Sequence, residues 1–307
     1  MSTVMVRLPW RGRVISTLAV ALSLALVAAP VFVTDAATAH ISMDPFTQAT
    51  CAGSALTNHH TEVEPDTFSN GSTIVAAFQV GRIYDGGACA IGFATSTNNG
   101  ASWTSGLLPG ITKWTGVAGP NDRATDASVA YDARHGVWLV SSLTLLEAGG
   151  VHGNSVVTSR STDGLTWNNP FTTATGADLD KNWIACDNTS TSPFYGHCYT
   201  EWDNHGAGNL LQMSTSSDGG QTWSAAATDG SGVIGGQPVV RPDGTVIVPI
   251  DNANETALGA LNSTNGGASW SAITTITTIK HHTVAGSLRE GPLPTAEIDA
   301  AGTVYVV

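Results

Sequence analysis

Ser216-Ser217-Asp218-Gly219-Gly220-Gln221-Thr222-Trp223 reads S-x-D-x-G-x-T-W, and the chain returns to this pattern. Residues 96–103 repeat it with Asn98 in the acidic position and Ser102 in the hydroxyl position, and 263–270 repeat it with Asn265 and Ser269. A looser copy, Arg160-Ser161-Thr162-Asp163-Gly164-Leu165-Thr166-Trp167, aligns on its Gly, Thr and Trp and puts Thr162 where the Asp belongs. Gly100, Gly164, Gly220 and Gly267 thus recur at roughly 50–65-residue intervals, the scale of one supersecondary unit in a repeat protein. An Asp or Asn with a nearby hydroxyl ties down the backbone of a tight turn without help from a core. The glycine supplies a positive φ at little steric cost, and the tryptophan re-enters apolar surroundings at the start of the next strand.

Outward from these turns the chain repeats one unit. Short β-branched or alternating runs bounded by Gly, Asn, Asp and Pro are the strand signal. They fall at 62–68, 73–79 and 90–96 before Trp103, and at 127–132, 137–143 and 155–159 before Trp167. The third set is 183–187, 198–202 and 210–214 before Trp223, and the fourth is 237–241, 245–250 and 257–263 before Trp270. A fifth unit begins at 294–299 and 303–307. No segment sustains a helical period. The expectation is an all-β chain of four-stranded antiparallel units, with four and part of a fifth present.

Residues 1–39 read as a secretory leader, and 40–307 as the folded domain. Arg7, Arg11 and Arg13 precede an apolar run over 14–33, broken by Pro30, and Ala37-Thr38-Ala39 offers a small-x-small cleavage site. The other reading is an uncleaved anchor, since the run approaches spanning length; no second segment does. Secretion, with no membrane attachment after cleavage, is the expectation. The net charge of −12 becomes more negative once the leader's arginines and Asp35 are set aside, which excludes nucleic-acid binding through counterion release. Cys51, Cys89, Cys186 and Cys198 permit three pairings. Bridges 186–198, across a hairpin, and 51–89 are favoured over free thiols in an oxidising compartment. No Cys or His spacing suggests a metal, no cofactor is implied, and no nucleophile elbow is present. Adjacent His281 and His282 point apart on an extended segment, and four N-x-[ST] sites carry meaning only in a eukaryotic secretory host.

The four turns resemble the Asp-box, or BNR, repeat of the sialidase-like β-propellers. That resemblance implies a propeller of six four-stranded blades, so that about four and a half blades are present and the chain is the N-terminal part of a longer protein. It also implies an exported glycoside hydrolase of the exo-α-sialidase type acting on terminal sugars of glycans. The alternative is a non-catalytic propeller that binds glycans or proteins. A glycan partner and a monomeric state are expected.

In such a blade the loops between the second and third strands and those between blades share one face. Arg82, Arg123, Arg289, Asp85, Asp126, Asp178, Asp180, Lys181, Glu201, Asp203, Asp251, Glu255 and Glu290 fall there. Arginine is the residue for two-pronged carboxylate recognition, and the bland reading of each charge is a solvated loop residue. The resemblance implies three arginines for the substrate carboxylate, an Asp acid/base and a Tyr nucleophile assisted by Glu. Arg82-Ile83-Tyr84-Asp85-Gly86-Gly87 looks like the loop that carries the acid, which makes Asp85 the candidate. Arg82, Arg123 and Arg289 are candidates for substrate binding, with Asp126 and Asp180 beside them. Glu201 and Glu255 compete for the carboxylate partner of the nucleophile. The nucleophilic Tyr would lie beyond Val307, and Thr61-Glu62-Val63-Glu64-Pro65 stands where the family's arginine-bearing first-strand motif is expected. Glu62 and Glu64 share one side of a strand at period two, as a cation site or a surface pair. Trp183 is expected to pack between blades.

Overall fold

The computed structural model describes residues 39–282, 284–286 and 291–307. Residues 1–38 of the segment 1–39 that the sequence suggests as a leader, and the candidate Arg289, therefore lie outside the described residues. The first antiparallel unit contains β1 (Thr57–Asn70), β2 (Thr73–Ile83), β3 (Ala88–Ser96) and β4 (Thr104–Leu107). The second contains β5 (Arg123–Asp132), β6 (Val137–Leu146), β7 (His152–Ser161) and β8 (Phe171–Thr175). A single pairing, Ala88 with Ala124, joins these two into one sheet. The third has β9 (Leu179–Cys186), β10 (Cys198–Asn204) and β11 (Leu210–Ser216), with the bridge Met213–Ala227 in place of a fourth strand. The fourth has a split inner strand, β12 (Val233–Gly236) and β13 (Val239–Val240), then β14 (Val246–Asn252), β15 (Ala257–Ser263) and β16 (Thr274–Thr278). A hairpin of β17 (Ala296–Ile298) and β18 (Val304–Val306) begins a fifth. The described residues contain no α-helix; the one helical turn is 3₁₀, at His205–Ala207.

The central strands are buried on both faces, because each unit is sandwiched by its neighbours. Val75, Ala77, Ile91 and Phe93 of the first unit meet Val129, Trp138, Val140 and Val157 of the second, with Trp167 closing the layer 5.8 Å from the Phe93 ring. Leu143, Leu145 and Val156 pack on Leu179 and Trp202 of the third unit. Tyr199, Leu211 and Met213 of the third pack on Val246, Val248, Ile250 and Leu261 of the fourth. Fully burying one such aliphatic side chain contributes about 1.5–3 kcal/mol. These layers therefore dominate cohesion between blades. Phe46 and Cys51, from the segment before β1, cover Phe78, Val80 and Ile83 on the other side of the first unit.

The four repeated turns share one hydrogen-bond pattern. In the third unit the Asp218 carboxylate accepts the Ser216 hydroxyl (2.9 Å) and the amides of Gln221 and Thr222 (both 3.0 Å), while Ser216 Oγ accepts the Gly220 amide (2.9 Å). Asn98 and Asn265 accept the Ser102 and Ser269 amides in the same way. The looser copy is corrected by the structure: Asp163, not the position of Thr162, plays the acidic part. Asp163 accepts Ser161 Oγ and the amides of Leu165 and Thr166, and Gly164 donates to Ser161 Oγ. This turn is one residue shorter between its acid and its glycine, so alignment on the glycine misplaces the acid. The glycines of the second, third and fourth turns also sit against the preceding unit. A Cβ on Gly164 would meet Val75 at 3.0 Å, one on Gly220 would meet Leu139 at 2.9 Å, and one on Gly267 would collide with Thr215. The turns thus cap their own hairpins and key one blade to the next.

Both disulfides expected from the sequence are present. Cys186 and Cys198 bridge directly paired positions of β9 and β10, and Cys51 with Cys89 ties the segment before β1 to β3.

Candidate functional site

The inner strand of each of the four full blades carries an extra residue that breaks its register. The breaks fall between Val63 and Asp66 in β1, between Thr125 and Ser128 in β5, opposite Glu201–Asp203 in β9, and between Ile234 and Gly236 in β12. The inserted residues Glu64, Asp126, Lys181 and Gly235 have φ of 53°, 50°, 46° and 63°. Positive φ is uncommon for a residue with a Cβ. A bulge re-aims its side chain and recurs beside active sites. Here the four bulges converge on one pocket of about 350 Å³, lined by Glu64, Asp66, Asp126, Lys181, Asn182, Trp183, Glu201, Gly235 and Gly236, with Leu293 and Pro294 from the approach to β17.

The pocket is acidic. Glu201 is 1% exposed, and neither carboxylate oxygen has a hydrogen-bond partner. Burial holds its pKa well above the usual carboxylate range, the charge of Asp203 adds to this, and the nearby Gly236 amide offsets only part. Asp203, two residues along the same strand, is pushed up to about 8 by burial and then by Asp180. Asp66 is raised by burial to about 6 although its carboxylate accepts the Val129 amide at 2.7 Å. Asp126 Oδ1 accepts the Thr125 hydroxyl at 2.7 Å, while its Oδ2 is buried without a partner. Asn182 donates to Ser141 Oγ at 2.8 Å. The Lys181 ammonium lies 3.8 Å from Asp180 and favours the charged forms of Glu201 and Asp203. Carboxyl groups whose pKa burial raises, clustered at and beside a cleft, form the pattern expected of acid–base sites.

Of the residues expected from the sequence, Asp126 and Glu201 meet in this pocket, with Asp180 beside it through Lys181. Asp85 and Arg123 form a different arrangement. Arg123 is fully buried; its Nε donates to Glu147 (2.6 Å), Nη1 to Asp85 (2.5 Å) and the Gly86 carbonyl (2.7 Å), and Nη2 to Ser54 (2.8 Å). It thereby fastens the segment before β1 and the outer loops of the first two blades. Asp85 is exposed outside the pocket lining, and its hydrogen bond from Arg123 lowers its pKa. Arg82 donates to the carbonyls of Ile83 and Gly87. Glu255 lies after β14, 3.5 Å from His281 and near the buried Asp251, whose own pKa burial lifts to about 6. The pairing of Glu62 with Glu64 is dissolved by the bulge: Glu62 accepts the Ser42 hydroxyl, while Glu64 accepts from Gln79 and lines the pocket. Trp183, expected to pack between blades, is half-buried and lines the pocket. Asp66 escaped sequence reasoning; its place immediately after a Pro in an inner strand was the available signal.

No family model matches the chain, and no curated protein does. Solved structures match it by shape. The Hadza microbial sialidase Hz136 is 15% identical with a TM-score of 0.52, over 69% of this chain and 46% of that one. The fold is that of a sialidase-like β-propeller. The intramolecular trans-sialidase from Ruminococcus gnavus is similar at 12% identity and a TM-score of 0.53, covering 78% of this chain and 73% of that one. For the NanB sialidase from Streptococcus pneumoniae the figures are 11% and 0.53, over 83% and 57%. The chain thus spans about half the length of two of these three.

Proposed function

We propose that the protein is an exported glycoside hydrolase that acts on terminal sugars of glycans at the axial pocket. The observation that carries this reading is the juxtaposition of Glu201, buried and unpartnered, with Asp126 on the neighbouring blade in one concave site. Glu201 is the acid: its proton goes to the glycosidic oxygen as the C–O bond to the sugar breaks. Asp126 is the opposing carboxylate, which supports the positive charge on the sugar ring and activates the water that completes hydrolysis. The leader pattern and the two disulfides support export. Exo-α-sialidase specificity is the finer form of this reading, and it rests on the likeness of fold and on the repeated turns. Against it stands the chemistry of the pocket, since Arg123 is committed to protein acceptors. The second reading is a glycan-binding propeller without turnover, favoured by the lack of a tyrosine among the described lining residues.

The test is a panel of fluorogenic glycosides that includes an α-sialoside. Turnover of any member, lowered about 10²–10⁴-fold by Glu201→Gln, supports the assignment. Glycan binding without turnover moves the conclusion to the binding module, and turnover untouched by Glu201→Gln removes Glu201 from the role.

A further inference from the structure

Among the described residues lining the pocket, the buried polar side-chain atoms without a hydrogen-bond partner are all oxygens, namely Asp126 Oδ2, Asn182 Oδ1 and both of Glu201; each accepts, and only the Glu201 carboxyl, when protonated, can also donate. Glu201 is 1% exposed and Asn182 3% exposed, so solvent does not satisfy them from outside. Leaving such groups unpaired is costly, and a partner that donates to several at once recovers that cost. Among the described lining residues the basic one is Lys181, which is held beside Asp180. A ligand matched to these described residues brings donors and positive charge, whereas an anionic one meets the carboxylates of Glu64, Asp66 and Asp126.

We infer that, within the glycan-processing reading above, the axial pocket takes a terminal sugar bearing a free ammonium group, a 2-amino-2-deoxyhexose, in preference to its N-acetylated form or to an acidic sugar. An ammonium presents three donors and no acceptor, the complement of what Asp126, Asn182 and Glu201 leave open. Acetylation removes the charge and two of those donors and adds an acceptor to an acceptor-lined wall. The ring hydroxyls serve the remaining oxygens. Half-buried Trp183 supplies an aromatic surface of the kind that sugar C–H faces and cations both favour.

The experiment is isothermal titration of the purified protein with oligosaccharides of glucosamine and of galactosamine, with their N-acetylated counterparts, with 3′-sialyllactose, and with spermidine at matched ionic strength. The free-amine oligosaccharides should bind at least tenfold tighter than the acetylated ones, the size of one lost charge-assisted contact. Asp126→Asn should cut that preference to threefold or less. Asn also tolerates positive φ, so the bulge survives, and an unchanged urea midpoint verifies this. Glu201→Gln provides a second variant with the same expected direction. Equal or tighter binding of the acetylated sugars, or strongest binding of the sialoside, overturns the inference and leaves the glycan reading standing. Spermidine binding as tightly as the amino sugars overturns the sugar part of it. Absence of binding to every glycan overturns both.

Discussion

Arg123 offers the sharpest separation between a structural and a substrate-binding role. Its guanidinium is fully buried, whereas the side chains of its partners Glu147 and Asp85 are 15% and 44% exposed. Replacing it by Met removes the charge with a similar apolar stem and leaves Glu147 short of its partner. Breaking a buried ion pair from one side costs about 3–5 kcal/mol. The half-exposed Asp85 adds at most about 1 kcal/mol, because water screens it. Glu147 keeps the Ser54 amide at 3.0 Å, which softens the loss. The expectation is about 3 kcal/mol in urea unfolding, equivalent to a fall in Tm of about 6–12 °C for a domain of this size. Arg123→Lys should lie between, since one ammonium cannot reach Glu147, Asp85 and Ser54 together. A double-mutant cycle with Glu147→Gln should show a coupling of about 1–2 kcal/mol. The pH dependence has a definite sign. The Arg123 hydrogen bond lowers the pKa of Asp85. For Glu147, burial acts upward but is outweighed by hydrogen bonds from Ser54 and Arg123. Both contributions are present above the unfolded carboxylate pKa of about 4 and are lost as pH falls through the depressed folded values. Arg123→Met should accordingly flatten the acid limb of the stability curve. If Arg123→Met unfolds within about 1 kcal/mol of wild type yet abolishes glycan binding, the structural account is wrong and the arginine belongs to the substrate.

Two further outcomes test the frame of the fold. Asp163, held at a pKa of about 2 first by the Thr166 amide and also by Leu165 and Ser161, should cost about 1 kcal/mol when changed to Ala, a value discounted for its exposure. That deficit should vanish as pH falls toward 2, and Asp163→Asn should be milder, because Asn98 and Asn265 hold the same place elsewhere; a pH-independent deficit in urea titrations would contradict this. Removing Cys186–Cys198, with a separation of 12, should cost about 3 kcal/mol, and removing Cys51–Cys89, with a separation of 38, about 4 kcal/mol on the chain-entropy account. The reverse order of Tm losses in the paired Ser variants would point to contacts rather than chain entropy.

The repeated turn was legible because its chemistry is local. Asp218, Ser216 and Gly220 satisfy one another within a few residues, so the letters alone carry the geometry. The strands were legible because their hydrophobic pattern is imposed by the layers on each side. The site was legible only as a set of loops on one face. A bulge leaves no mark in period-two reasoning, so Glu62 and Glu64 read as a pair although their partners differ. In the same way a one-residue deletion placed Thr162 where Asp163 belongs. Arg123 and Asp126 stand three positions apart in one strand. One is spent on an ion-pair hub and the other lines the pocket, a distinction set by depth along the strand and by partners remote in sequence.

The four bulges have similar backbones and unlike side chains, which separates what the fold requires from what the site uses. Positive φ recurs at Glu64, Asp126, Lys181 and Gly235, so the conformation belongs to the architecture and the choice of residue to the chemistry. In the fourth blade that choice is the absence of a side chain. A Cβ on Gly236 would lie 3.2 Å from Glu201 Cδ, and one on Gly235 would lie 3.2 Å from Leu293. Contacts this short would have to be relieved by displacing the carboxyl or the loop before β17, since close-packed interiors yield little. The glycines therefore leave room beside the Glu201 side chain where it lines the pocket. Its carboxyl stays buried, which raises its pKa, at the edge of that pocket. Burial of an acid without hydrogen bonds costs stability, and at Glu201 that cost falls where the four bulges converge.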